Sequence, residues 1–162
     1  MTLKTDLTPF LEFHLGEWRG LPAIDVDALT ASFGAPQETG SVELGFYPAM
    51  RSRFASKTES GGFDAYSRET RVLMIETLKQ PPVEILAALP EPMSILPNEL
   101  LLQGAYGHEY LYGERGLVLT VAVPYGSRQP SKIARCRGIA PIGSAREFGP
   151  ELYRPFEDRV VY

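Results

Sequence analysis

The sequence predicts an α+β fold in which a few short helices accompany a largely antiparallel sheet. Three observations carry that expectation. Fourteen prolines and fifteen glycines punctuate the 162 residues, and at this density such residues leave no room for long helices. Helical spacing of apolar residues is confined to short stretches that stop at glycine or proline. The remainder consists mostly of short segments rich in β-branched and aromatic residues between turn formers.

Taken in chain order, Thr8 and Pro9 suit the cap and first turn of a helix running through Phe10, Leu11, Phe13 and His14 to stop near Gly16. A second helix starts at Asp25 or Asp27, either of which can accept hydrogen bonds from free backbone amides. Leu29 and Phe33 lie four apart on one of its faces, and Gly34 with Pro36 ends it. A third has Pro82 in its first turn, Ile85, Leu86 and Leu89 on a common face, and Pro90 and Pro92 as its stop. Strands are expected over residues 42–47, 50–56, 70–78, 108–112, 116–123 and 132–139.

Laid side by side, the two halves follow one plan. Leu29, Phe33, Gly34 and Pro36 correspond to Ile85, Leu89, Pro90 and Pro92 at a constant offset. Behind each helix comes a strand ending in aromatics and a turn, Phe46-Tyr47-Pro48 in one half and Leu111-Tyr112-Gly113 in the other. Further strands follow, with Phe54 and Leu119 at comparable places, and the last run from Arg71 to Leu78 and from Lys132 to Ile139. The expected organisation is one domain: an N-terminal helix and loop over 1–26, similar short-helix-plus-antiparallel-strand units over 27–81 and 82–141 sharing a sheet, and a tail over 142–162. The alternative is one continuous antiparallel sheet with helices inserted.

This helix-and-sheet plan, with G-x-P or P-x-P closing the helix and an aromatic-ended strand behind it, resembles the tandem repeats of β-lactamase-inhibitor-protein-like domains. It is also similar to small outer-membrane assembly lipoproteins of the SmpA/OmlA type. The resemblance spans residues 27–140. It implies a binding scaffold whose sheet face docks on a partner protein, and it nominates no catalytic residue. The chain departs from the secreted members in lacking a lipobox and paired cysteines.

Composition bounds the rest. A single domain of this length buries about 68–70% of its unfolded surface and needs no disulfide or metal to fold. With 44% hydrophobic and 22% charged residues, the balance is that of an ordinary globular chain. One cysteine excludes an internal disulfide framework, and two histidines leave little for a multi-histidine metal site. The most apolar run, Leu117 to Val123, falls far short of the ~20 residues of a membrane-spanning helix. The start of the chain lacks the apolar core of an export signal. The expectation is a cytoplasmic protein with no membrane or nucleic-acid partner, because it is acidic overall and has no aromatic-and-basic RNA-binding pattern.

Catalytic patterns are missing. His108-Glu109-Tyr110-Leu111-Tyr112 begins like a zinc-binding helix but lacks the second histidine, and its alternation is that of a strand. His14, between Glu12 and Glu17, is a ligand only if it meets His108 in space. Cys136 lies between Arg135 and Arg137, but strand alternation points it away from both, as a buried and inert thiol. Glycines 104, 107, 138 and 143 match neither a phosphate loop nor a dinucleotide fingerprint. No catalytic residue, cofactor or metal is assigned.

Charge is distributed unevenly behind the net −4. Residues 1–42 hold six acids and two bases, residues 82–115 five acids and one base, and residues 116–146 five bases and no acid. Arg135 and Arg137 project from one face of their strand, and Arg51 and Arg53 do likewise in theirs. These four either line a surface for an acidic partner or compensate the acidic segments across the sheet. Tyr106, His108, Tyr110 and Tyr112 alternate along another strand, as an interface row or as a core wall. Trp18, in Gly16-Glu17-Trp18, resembles the start of the first strand in lipocalin-like barrels, which implies a small hydrophobic ligand or haem.

The leading expectation is a non-enzymatic protein that binds another protein. Its concrete form is a bacterial immunity or inhibitor protein that neutralises a toxin or enzyme, with a homodimer also compatible. The alternatives are the lipocalin-like ligand carrier and an enzyme whose site assembles only in space.

Overall fold

The second helix begins where its capping residue predicts. Asp25 is its N-cap, with Oδ1 accepting from the Ala28 backbone N–H at 2.8 Å, and the helix α1 runs over Val26–Phe33 to Gly34. In the computed structural model, which describes residues 25–44, 47–89, 91–92, 94–102, 104–112 and 117–139, α1 leads into an eight-stranded antiparallel sheet. The strands are β1 (Glu38–Leu44), β2 (Tyr47–Ala55), β3 (Gly62–Arg68), β4 (Arg71–Thr77), β5 (Ser94–Leu102), β6 (Ala105–Tyr112), β7 (Leu117–Pro124) and β8 (Lys132–Ile139). Where the sequence predicts a third helix there is a single 3₁₀ turn, Val83–Ala87, with Ile85 and Leu89 buried. The expected first helix and Trp18 lie outside the described residues.

The strand order is β1-β2-β3-β4-β8-β7-β6-β5. Each set of four consecutive strands is a meander, and the two meanders meet along β4 and β8 through Met74↔Ile139, Ile75↔Gly138 and Glu76↔Arg137. β4 therefore pairs with β8, and β5 lies at an edge. A lipocalin-like barrel instead needs each strand beside its sequence neighbour.

Two strands escape the sequence prediction, β3 and β5. A third difference concerns Tyr47 and Pro48, which open β2 rather than end the strand before it. The far turn of β3 has no glycine. Glu69 and Thr70, both at positive φ (52° and 73°), link it to β4, where asparagine and glycine are the usual signal. The turn is tied to α1 by the Val26 N–H, which donates to the Thr70 carbonyl at 2.8 Å.

Alternation divides the sheet into two faces. Ser52, Ala65, Ile75, Gly138, Leu117 and Tyr112 form one row across six strands. On this face α1 lays Phe33 edge-on to Phe63 at 5.1 Å, and Phe63 stacks on Phe54 at 5.3 Å. Phe54, Phe63, Ile75, Leu117 and Leu119 are fully buried. At about 1.5–3 kcal/mol for each large apolar side chain, this layer supplies the main driving force for docking the helix. β7 is buried on both faces, which explains why the run at 117–123 is apolar at every position but Thr120.

Candidate functional site

The register places the two sets of sequence-predicted residues on opposite faces of the sheet. Tyr110 pairs with Leu119 and Leu119 with Cys136, on the face that carries α1. Arg135 and Arg137 flank Cys136 and so point the other way. Arg51 and Arg53 share that second face, because Arg53 pairs with Asp64, Asp64 with Glu76 and Glu76 with Arg137.

The tyrosine row grades from core to surface along one strand. Tyr112 is 4% exposed, and burial, reinforced by Tyr110 and Glu91, pushes its hydroxyl up to about 12. Tyr110 packs against the core and is raised by burial alone. His108 is half-buried. Tyr106 is 60% exposed and meets Tyr125, 55% exposed, edge to face at 4.6 Å. The row is thus core wall at one end and accessible surface at the other.

The arginine face is a charge ladder. Glu38, Arg53, Asp64, Glu76 and Arg137 follow one another across five adjacent strands. All four arginines are held by carboxylates. Arg51 Nη2 donates to Glu38 Oε1 at 2.6 Å. Arg53 forms a two-pronged pair with Asp64, Nε to Oδ1 at 2.8 Å and Nη2 to Oδ2 at 3.0 Å. Arg135 Nε donates to Glu76 Oε1 at 2.7 Å. Arg137 Nη2 donates to Glu109 Oε2 at 2.7 Å, an oxygen that also accepts from the Thr120 hydroxyl at 3.0 Å. Asp64 and Glu76 are like charges side by side, a repulsive arrangement that Arg53 and Arg135 offset from either flank.

Tyr66 stands among these groups and was not singled out by sequence, because it lies on the unpredicted strand β3. It pairs directly with Arg51 and with Met74. Burial, then the charges of Glu76 and Asp64, raise its pKa, while Arg135 and Arg51 oppose the rise. The alternation Phe63, Ala65, Ser67 against Asp64, Tyr66, Arg68 was the sequence signal available for it.

The guanidinium Nε atoms of Arg51 and Arg137 are buried without an acceptor among the described residues. Short side chains between the charged ones are covered by their long neighbours; Thr120, for example, sits between Glu109 and Arg135 and is fully buried. The face is therefore amphoteric and partly exposed, with four guanidinium groups balanced by four carboxylates.

Other chemistry is sparse. Cys136 is buried, and desolvation pushes its thiol up to about 12 despite a hydrogen bond involving Thr77 and the nearby Arg137. Among the described residues no three His, Cys, Asp or Glu side chains gather as a metal site. No helix among them is long and apolar enough to cross a membrane. His14, the partner that a histidine site with His108 would need, lies outside the described residues.

No protein-family model matches the chain, and no curated protein matches it. Two solved structures are similar in outline. A cysteine-rich secretory protein from Staphylococcus aureus subsp. aureus Mu50 aligns at TM-score 0.42 with 13% identity, over 78% of this chain and 46% of its own. This chain thus spans less than half the length of that protein. A DUF4309 family protein from Bacillus subtilis subsp. subtilis str. 168 aligns at TM-score 0.37 with 12% identity, over 85% of this chain and 95% of its own. Likeness at this level assigns neither a family nor an activity.

Proposed function

We propose that this chain is a non-catalytic binding protein that contacts another protein through the arginine face of its sheet. One observation carries the reading: Arg51, Arg53, Arg135 and Arg137 line one face with Tyr66, each paired with a carboxylate from another strand of the sheet. Arginine and tyrosine contribute disproportionately to binding energy at protein interfaces. Guanidinium groups already held in place lose less entropy when a partner arrives. Because the carboxylates balance the arginines, the partner that fits presents alternating charges rather than a uniformly acidic surface.

The strand order supports reading the sheet as two units that meet at β4 and β8, each a short helical segment followed by a four-stranded meander. That is one strand more per unit than the sequence suggests. A two-unit scaffold of this kind presents a wide sheet face, and neutralisation of a toxin or enzyme is the concrete role we assign to it. Purification of the tagged chain from its native host tests the reading. The expected result is a stoichiometric protein partner that is lost from an Arg53→Ala/Arg135→Ala variant, and its absence across growth conditions overturns the proposal.

A further inference from the structure

The two edges of the sheet, β1 and β5, are unlike. β5 contains Pro97, which has no N–H to offer a neighbour, and its pairing with β6 breaks between Asn98 and Leu102. Both features blunt an edge against further pairing. β1 has neither. Its seven residues pair with β2 in unbroken register from Glu38↔Arg53 to Leu44↔Tyr47, and Thr39, Ser41 and Glu43 are exposed. Alternate N–H and C=O groups of such a strand face away from the sheet, and no other described strand pairs with them.

We propose that β1 is the pairing edge of a homodimer, in which Glu38–Leu44 lies antiparallel to the same segment of a second copy about a two-fold axis at Ser41. Antiparallel self-pairing that engages all seven residues has a single register, with Ser41 facing itself. In that register Thr39 meets Glu43, Gly40 meets Val42 and Glu38 meets Leu44. Neither acid meets an acid, so the strand is complementary to itself where opposed like charges would repel. The register also keeps Thr39, Ser41 and Glu43 on one face, so the two copies continue a single sheet along about 24 Å of strand. This self-complementarity favours a second copy over an unrelated extended segment. The dimer is independent of whether the arginine face binds a partner.

Sedimentation of the full wild-type chain, combined with cysteine cross-linking, tests the proposal. Ser41→Cys places two thiols opposite each other across the axis, with Cβ atoms about 4.5–5.5 Å apart, close enough to form a disulfide with little movement. Thr39→Cys leaves its two copies more than ~13 Å apart along the strands. Both positions are exposed, and buried Cys136 does not compete. The expected result is a wild-type dimer, with Ser41→Cys forming covalent dimer at least about tenfold faster than Thr39→Cys on mild oxidation. A wild-type monomer overturns the proposal, as does equal cross-linking by the two variants. A monomer that captures another protein's strand along β1 overturns it in favour of that partner.

Discussion

Arg137 stands directly opposite Glu76 across the junction of β4 and β8, yet it ion-pairs with Glu109, reaching over β7. Glu76 is taken instead by Arg135, its diagonal neighbour on the same strand. The exchange ties β8 to both sides at once, through Arg135 to β4 and through Arg137 to β6. The backbone pairing that joins the two meanders is short, so these side chains carry part of the connection between them.

Glu109→Gln therefore weakens the fold. Glu109 and Arg137 are each only 16% exposed, and the change leaves the Arg137 charge without its carboxylate. The expected loss is about 1–2 kcal/mol, measured by chemical denaturation. Replacing both Arg137 and Glu109 by methionine recovers most of that loss, because neither then leaves a half-buried charge unpaired.

Gly62 is required by its backbone. Its φ is +124°, and a Cβ there would stand 2.3 Å from the Phe54 carbonyl oxygen. Gly62→Ala is expected to cost about 2–4 kcal/mol through strain and clash together. Gly34, at φ +85° with nothing within 4 Å of its added Cβ, costs about 1–2 kcal/mol on the same substitution. Thermal denaturation of the two variants separates the cases.

The turn between β3 and β4 can be improved. Glu69 and Thr70 occupy the left-handed region without being glycine or asparagine. Glu69→Asn with Thr70→Gly is expected to stabilise the chain by about 1 kcal/mol. The bond from Val26 N–H to the carbonyl of residue 70 is retained in that variant. A rise in the denaturation midpoint checks it.

Stability falls at alkaline pH. Cys136 and Tyr112 are both raised to about 12, from ordinary values of 9.0 and 10.0, and burial also raises Tyr66 and Tyr110. Their protonated forms are favoured in the folded state, so the unfolded chain binds fewer protons above pH 9. The corresponding stability is complete below about pH 9 and is lost as the pH climbs toward 12. Denaturation midpoints measured from neutral pH upward should decline through that window, and Cys136 should resist alkylation at neutral pH until the chain unfolds.

Helix α1, the face of Cys136, the shared faces of the arginine pairs and strand β8 were legible in the sequence because each follows from local chemistry. Asp25 and Gly34 bracket eight residues, and two-residue alternation does the rest. What escaped needed long-range information. Strand β3 ends in a turn that local preference disfavours, so Tyr66 went unnoticed. That the arginines face away from the tyrosine row depends on the register β4–β8–β7–β6, which no local pattern encodes. The fate of the arginine charges was likewise set by which carboxylates the sheet brought alongside them.

The most direct measurement compares the affinity of the captured partner for Tyr66→Ala and for Tyr106→Ala. These tyrosines lie on opposite faces of the sheet, and because Tyr66 also packs against the buried core, an unchanged denaturation midpoint of its variant accompanies the comparison. If binding uses the arginine face, Tyr66→Ala weakens it by roughly thirtyfold or more, the loss typical of a central aromatic contact, and Tyr106→Ala leaves it unchanged. An unchanged affinity for Tyr66→Ala, with binding lost in Tyr106→Ala, would contradict it and move the interface to the exposed end of the tyrosine row.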